Sequence, residues 1–155
     1  VLVVAVGRVR GTLEAPVAEY EERARRYWKL EVVEVEAGAP GQDPAPGRVK
    51  EAEARRIQGR IPEGFTVVAL TRTGKGLGSR ELAALLEGEA VRSSPGVAFL
   101  LGGAFGLADD VLARAARRLS LSGLTLPHEM ARLVLAEQLY RAGTLLRGEP
   151  YHKGA

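Results

Sequence analysis

Apolar runs alternate with amphipathic stretches along the chain, and this pattern predicts parallel strands separated by helices. Runs rich in β-branched residues predict strands at 2–7, 30–36, 65–71 and 96–103, and a short fifth strand at 118–122. Stretches with helical spacing predict helices at 12–29, 48–60, from 79 onward, 108–117 and 129–146. Thr12 and Ser79 are the predicted N-caps of the first and third helices. The alternation favours the α/β class, with one domain over residues 1–155 and a parallel sheet covered on both faces.

The amino-acid composition excludes several kinds of catalytic and metal-binding site. The chain is 46% hydrophobic and 26% charged, which suits a folded core, and it contains no cysteine. Disulfides, thiolate catalysis and cysteine zinc sites are therefore excluded. With two histidines and no clustered carboxylates, no metal site is predicted. The net charge of +3 permits a nucleic-acid partner without requiring one. The opening apolar run is too short for a signal peptide or a membrane span, so a cytoplasmic protein is expected.

Three loops follow predicted strands, where ligands bind in open α/β sheets: 71–78 after Leu70, 102–106 after Leu101, and 122–127. The first contains Gly74-Lys75, but Ala69 and Gly76 break the pattern of a phosphate-binding P-loop. It could equally be a flexible glycine turn. The second, "GGAFG", has Leu101 where a dinucleotide-binding fingerprint needs glycine, and no acidic residue follows at the required distance. No nucleophile elbow accompanies the serines near His128.

The third loop is unusual because "SGLTLP" (122–127) carries no charge. One interpretation is an ordinary core loop packed under the last helix. The other is the wall of an apolar ligand pocket, with Leu124 and Leu126 as its surfaces and Gly123 allowing close approach. In either interpretation the loop is expected to be buried, since burial of a charge without a partner is costly.

Three motifs, in order, resemble one known family. "LLGGAFGL", "SLSGLTLPHEMARLVLAEQLYRA" and "RGEPYHK" resemble the RlmH family, which are ribosomal RNA large-subunit (pseudouridine-N3) methyltransferases of the SPOUT superfamily. The likeness runs from about Phe65 to Lys153, and "VAVGRVR" and "YEERARRY" extend it more loosely. It implies a parallel α/β fold with a C-terminal trefoil knot, an exception to the rule against knots. It also implies a homodimer, S-adenosylmethionine as methyl donor, and a pseudouridine of 23S ribosomal RNA as substrate, methylated on the assembled ribosome.

The resemblance also implies roles for particular residues. The donor-binding residues would be Leu70, Gly102, Gly103, Ser122, Gly123, Leu124, Thr125, Leu126 and Pro127. Catalytic roles would fall to His128, Glu137, Arg141, Tyr151 and His152. Substrate contacts would come from Arg8, Arg72, Lys75, Arg132 and Lys153. An imidazole can exchange a proton near neutral pH, and basic side chains bind phosphate.

Plainer interpretations stay open for several of these residues. Glu137 and Arg141 have the spacing of an ordinary surface ion pair. His128 could simply pack or cap at a helix start, and 151–153 could be a frayed terminus. Two other functions also remain: a knotted RNA methyltransferase with a different target base, and a ribosome-binding module without catalysis.

Overall fold

Five parallel strands form the sheet, in the spatial order β2-β1-β4-β3-β5. The computed structural model describes residues 1–92 and 94–152, without the side chain of His152. The strands are β1 (Leu2–Val6), β2 (Glu31–Val35), β3 (Thr66–Gly76), β4 (Val97–Leu101) and β5 (Arg117–Ser120). The helices are α1 (Glu14–Arg25), α2 (Pro46–Gln58), α3 (Ser79–Val91), α4 (Asp109–Arg114) and α5 (His128–Leu146). The predicted parallel α/β class is confirmed, whereas threading of the last segment through a knot stays a prediction.

Two apolar layers hold the sheet, one on each face. All five residues of β1 and of β4 are buried, which explains why these strands are continuous apolar runs rather than alternating ones. Val3, Phe99 and Val68 pack on one face with Leu135 and Leu139 of α5. The opposite face packs against α2 and α4 and includes Val4, Leu100, Ile57 and Val111. Alternate residues of one strand therefore belong to different layers.

Three local predictions were wrong. Thr12 does not cap α1: it lies in a short 3₁₀ turn, Gly11–Leu13, that starts at Gly11 with φ +68°, and α1 begins at Glu14. Ser79 is the first residue of α3 rather than its cap. The backbone N–H of Gly78 instead donates to Glu81 Oε2 at 2.8 Å. The expected glycine loop at 71–78 is mostly strand, because β3 continues to Gly76.

The end of β3 is held against β5 in an irregular pairing. Leu70 and Lys75 both pair with Leu119, so residues 71–74 interrupt the register. A Cβ at Gly74 would lie 2.4 Å from the backbone carbon of Leu119, closer than any side chain tolerates. Glycine is thus required here by close approach of two backbones, and the segment 71–74 is fixed at the carboxyl edge of the sheet.

A buried cation fastens α5 to the rest of the fold. The Nε of Arg132 donates to Glu21 Oε1 on α1 at 2.9 Å, and the same guanidinium pairs with Glu34 on β2. The Arg132 and Glu21 side chains are only 9% and 11% exposed. A buried charge that loses its partner costs far more than an exposed one, so this pair ties α1, β2 and α5 together.

Replacement of Arg132 by Ala should therefore lower the free energy of unfolding by about 3–5 kcal/mol, because Glu21 is left charged and buried. The measurement is urea unfolding at equal protein concentration. Arg25→Ala is the matched control: it breaks the exposed Arg25–Glu22 pair at 3.2 Å and should cost about 0–1 kcal/mol. A loss below about 1 kcal/mol for the Arg132 variant would contradict the structural role.

Candidate active site

A cleft of about 780 Å³ opens at the carboxyl edge of the sheet, where the ends of β3, β4 and β5 meet. Its walls come from three segments: 70–73 at the end of β3, 101–107 after β4, and 120–128 leading into α5. The volume lies within the usual range for small-molecule sites of roughly 300–1,000 Å³. Parallel strands bring these segments together because all their carboxyl ends finish at the same edge.

The predicted donor-binding residues meet in this cleft. It is lined by Leu70, Gly102, Gly103, Ser122, Leu124, Thr125, Leu126 and Pro127. Gly123 lies in the same loop but is not among the lining residues. The three predicted loops, which are separated in the chain, therefore line one continuous cavity. Their roles in donor binding stay a prediction.

The turn after β4 is built by glycine. Gly106 has φ +76°, and its N–H donates to the carbonyl of Gly103 at 3.0 Å. A Cβ at Gly102 would lie 2.5 Å from the backbone of Gly106, so a side chain at that position would open the turn. The tight turn leaves backbone groups, rather than side chains, as the surface presented to a ligand.

The uncharged loop 122–127 forms the rim of the cleft. Ser122 stabilises it: its Oγ accepts from the N–H of Leu124 at 2.9 Å, and its carbonyl accepts from Ser120 Oγ at 2.7 Å. The expectation that the loop is buried is wrong for the single chain, since Leu124 is 77% exposed. Phe105, 49% exposed, lines the same cleft. Apolar side chains at a rim become covered only when something binds there.

The predicted catalytic residues fall into two groups on α5. His128 begins the helix and lines the cleft, with Nε2 3.6 Å from the Cβ position at Gly7. Glu137 and Arg141 lie farther along the helix. Glu137 comes nine residues after His128, which corresponds to a rise of about 14 Å along the helix axis. Within one chain, the second group does not reach the cleft.

The second group is a docking site for the C-terminal segment. Tyr151 donates to Glu137 Oε1 at 3.1 Å, and its ring centroid lies 4.6 Å from that of Tyr140. Arg141 is paired with Glu137 at 2.8 Å and lies over the Tyr151 ring at 4.9 Å. Burial and the hydrogen bond with Tyr20 raise the pKa of Tyr151, and the neighbouring Glu137 carboxylate adds to the rise. Residues 150–152 form a 3₁₀ turn, so this part of the tail is ordered rather than frayed.

Glu149 anchors the same segment to the turn that follows α1. Tyr27 donates to Glu149, and this bond, with burial, raises the pKa of Tyr27 to about 12. The ring of Tyr27 also lies 5.7 Å from that of Tyr140. Two tyrosine–carboxylate contacts therefore join the tail to the turn after α1 and to α5.

The predicted substrate-contacting residues are scattered. Arg72 lines the cleft and is exposed, and Lys75 lies exposed a few residues along β3. Arg8 is exposed and 3.5 Å from Glu34. Arg132 is buried in the ion pairs described above and does not line the cleft, so its position gives no support to a substrate contact. Lys153 and the side chain of His152 lie outside the described residues.

Two residues at the cleft are not predicted from the sequence. Lys50 of α2 lines the cleft, and Glu53, one turn later, is 3% exposed with an oxygen that has no hydrogen-bond partner among the described residues. In sequence both resemble the ordinary charges of an amphipathic helix. The available signal was the position of Glu53 on the apolar face, beside Ala52, Ala54 and Ile57.

Over residues 1–92 and 94–152, no group of three or more potential ligands is arranged to hold a metal ion. The helices in that part of the chain are also too short or too polar to cross a membrane.

Known proteins resemble this chain over nearly its full length. The family model described as predicted SPOUT methyltransferase matches residues 1–152. A protein of Gemmatimonas aurantiaca named ribosomal RNA large subunit methyltransferase H is 47% identical over 99% of both chains. A protein of Rubrobacter xylanophilus with the same name is 49% identical over 97% of this chain and 96% of the other.

A solved structure supports the fold independently. A probable methylase family protein of Haemophilus influenzae aligns with 99% of this chain and 70% of its own, with a TM-score of 0.51 at 14% identity. At that identity the likeness concerns the fold alone, whereas the match to the family model and the two close relatives concern the whole chain. The chain therefore belongs to the SPOUT methyltransferase family, together with the proteins named ribosomal RNA large subunit methyltransferase H.

Proposed function

We propose that this chain transfers a methyl group from S-adenosylmethionine to N3 of a pseudouridine in large-subunit ribosomal RNA. The observation that carries the proposal is the cleft at the ends of β3, β4 and β5, lined by three strand-end segments, two of which carry the family motifs. Relatives with 47% and 49% identity bear the name of a ribosomal RNA large subunit methyltransferase. A ribosomal RNA substrate would place the protein in the cytoplasm.

The cleft suits the donor in size and polarity. Leu124, Leu126 and Leu70 offer apolar surface for an adenine ring, while the backbone of 102–106 and 122–127 offers polar groups for its edge. None of the described residues that line the cleft is acidic. When bound, the donor supplies a methyl group already activated by its positively charged sulfur. The protein has to orient the target base and exclude water.

His128 is the proposed proton acceptor near the donor. Methylation of an imide N3 requires loss of its proton, and a histidine at the entrance of the cleft is placed to receive it. Its position at the start of α5, fixed by the Arg132 ion pairs one turn later, limits its movement relative to the rim.

A second copy of the chain would bring Glu137, Arg141 and Tyr151 to the cleft, which they do not reach within one chain. Glu137, Arg141 and Tyr151 form one contact group about 14 Å along α5 from His128. If these residues act on the same substrate as the cleft, they have to come from another protomer. We therefore propose a homodimer with α5 at its interface, where Met130 and Leu146 are exposed apolar residues.

The RNA would contact the basic residues around the cleft. Arg72 and Lys75 are exposed on the irregular end of β3, and Arg8 is exposed after β1. With a net charge of only +3 per chain, general attraction to RNA is weak. A target presented by the shape of an assembled ribosome fits this charge better than naked RNA does. Lys153 is proposed to extend the same contact from the tail, and His152 to take part in proton transfer.

The function is tested with labelled S-adenosylmethionine and ribosomes that lack the modification. We expect incorporation at one position of the large-subunit RNA, located by mass mapping, and donor binding by calorimetry. Binding without incorporation on any ribosomal substrate would favour a ribosome-binding module, and incorporation at another base would change the assigned target. Failure to bind the donor at millimolar concentration would overturn the proposal.

Deletion of residues 150–155 should abolish methylation and leave donor binding intact. The deletion removes Tyr151 from Glu137 and Tyr140 but leaves the cleft untouched. Calorimetry with the donor and methylation of ribosomes are measured in parallel. Tyr151→Phe is the matched control, since it keeps the ring contacts and loses only the hydroxyl. Normal turnover by the truncated chain would remove the tail from the mechanism.

Replacement of His128 by Asn should lower kcat by about 100-fold or more, because general-base catalysis usually contributes that much. The donor dissociation constant should change little, since the apolar rim is unaltered. An unchanged rate would assign the proton transfer to another group.

A further inference from the structure

Glu53 is a buried carboxylate placed directly behind the cleft wall. Its Oε1 accepts from the N–H of Gly38 at 2.9 Å, while Oε2 is buried and has no hydrogen-bond partner in the described part of the chain. A Cβ built on Gly103 would lie 2.9 Å from Oε1 and 3.0 Å from Oε2. Because Gly103 has no side chain, the carboxylate packs directly against the backbone of this cleft-lining residue, beside Val6, whose Cγ1 lies 2.9 Å from the same Cβ position. An unpaired buried acceptor is costly, which points to a donor group that arrives with a ligand.

Lys50 supplies the opposite charge one helical turn earlier. It lines the cleft, its side chain is 29% exposed, and its Nζ lies 4.0 Å from Asp109, which is 98% exposed. A contact of that length to a fully exposed carboxylate binds the ammonium only weakly. Lys50 and Glu53 are spaced i and i+3, so they share one face of α2.

This face of α2 is also held rigidly. Arg56, one turn beyond Glu53, donates to the carbonyl of Glu36 at 3.0 Å and to that of Gly38. Together with the bond from Gly38 to Glu53, these contacts fix the segment after β2 against α2. The two charges are therefore presented by a braced helix rather than by a loop.

The pairing of charges matches one part of the proposed donor. The amino-acid end of S-adenosylmethionine carries an ammonium and a carboxylate on one carbon, whereas the adenine and ribose are neutral. Arg72 is the other cation among the described lining residues, but it is exposed, as a contact to RNA would require. A half-buried lysine beside a buried carboxylate suits a small zwitterion better than a polyanion.

We propose that Lys50 and Glu53 form the subsite for this amino-acid end, with Lys50 pairing with its carboxylate and Glu53 Oε2 accepting from its ammonium past Gly103. The proposal rests on the proposed function, because it names the part of the same cleft that recognises the donor. It adds two ligand-contacting residues that lie outside the three strand-end loops.

The test measures the binding of three compounds by calorimetry to the full chain and to Lys50→Met and Glu53→Gln. S-adenosylhomocysteine has both the ammonium and the carboxylate of the amino-acid end. Decarboxylated S-adenosylmethionine has only the ammonium of that end, and methylthioadenosine lacks the whole amino-acid end. Glu53→Gln keeps the volume and the acceptor for Gly38. Glu51→Gln and Lys29→Met, both at exposed positions, are the matched controls.

We expect each variant to bind S-adenosylhomocysteine about tenfold or more weakly, as for loss of a charge-assisted hydrogen bond, and methylthioadenosine as the wild type does. Decarboxylated S-adenosylmethionine should distinguish the two residues. It should bind to Glu53→Gln more weakly than to the wild type, and to Lys50→Met as tightly as to the wild type. The control variants should match the wild type for all three compounds.

Two results would overturn the subsite. Equal losses for S-adenosylhomocysteine and methylthioadenosine would mean that the residues only support the fold. Unchanged binding of all three would mean that Glu53 Oε2 is satisfied by a buried water and that Lys50 stays in solvent. If the wild type binds none of the compounds, the proposed function itself fails, and this outcome is distinct from the other two.

Discussion

Parallel pairing in register is the constraint on which the site depends. β4 lies between β1 and β3, with Leu100 opposite both Val4 and Ala69, and all three residues are completely buried. The paired strands run in the same direction, so their carboxyl ends lie at one edge of the sheet. The cleft exists because three successive exits occur side by side at that edge. Loss of register at β4 would move each wall of the cleft relative to the others.

Close backbone approach gives that edge its shape. The Cβ positions of Gly74 and Gly102 lie 2.4 Å and 2.5 Å from backbone atoms of other segments, and no side chain fits at either place. The walls of the cleft are therefore largely backbone and small or apolar side chains. Charge is confined to Lys50 and Arg72 among the described lining residues. This division suits a ligand with an apolar ring and a polar end.

The last helix, α5, carries two sets of candidate catalytic side chains that lie far apart. Its first turn carries His128 at the cleft, and its middle carries Glu137 and Arg141 against Tyr151. Arg132 lies between them and is fixed by Glu21 and Glu34 from two other elements. A helix held by a buried ion pair cannot bend the two groups toward each other. Their action on one substrate would need the homodimer proposed above.

The sequence by itself determined the strands to within a few residues, the parallel class and the loops that line the cleft, because strands buried on both faces need long apolar runs. It also carried the family motifs. It misplaced the start of α1 and the loop after Leu70, because a left-handed Gly11 and the pairing of Lys75 with Leu119 are not local signals. Only the tertiary structure decided that Arg132 is buried and that Glu53 faces Gly103. A charge on a helix has the same local pattern whether it meets water, a partner or a ligand, and only packing distinguishes these cases.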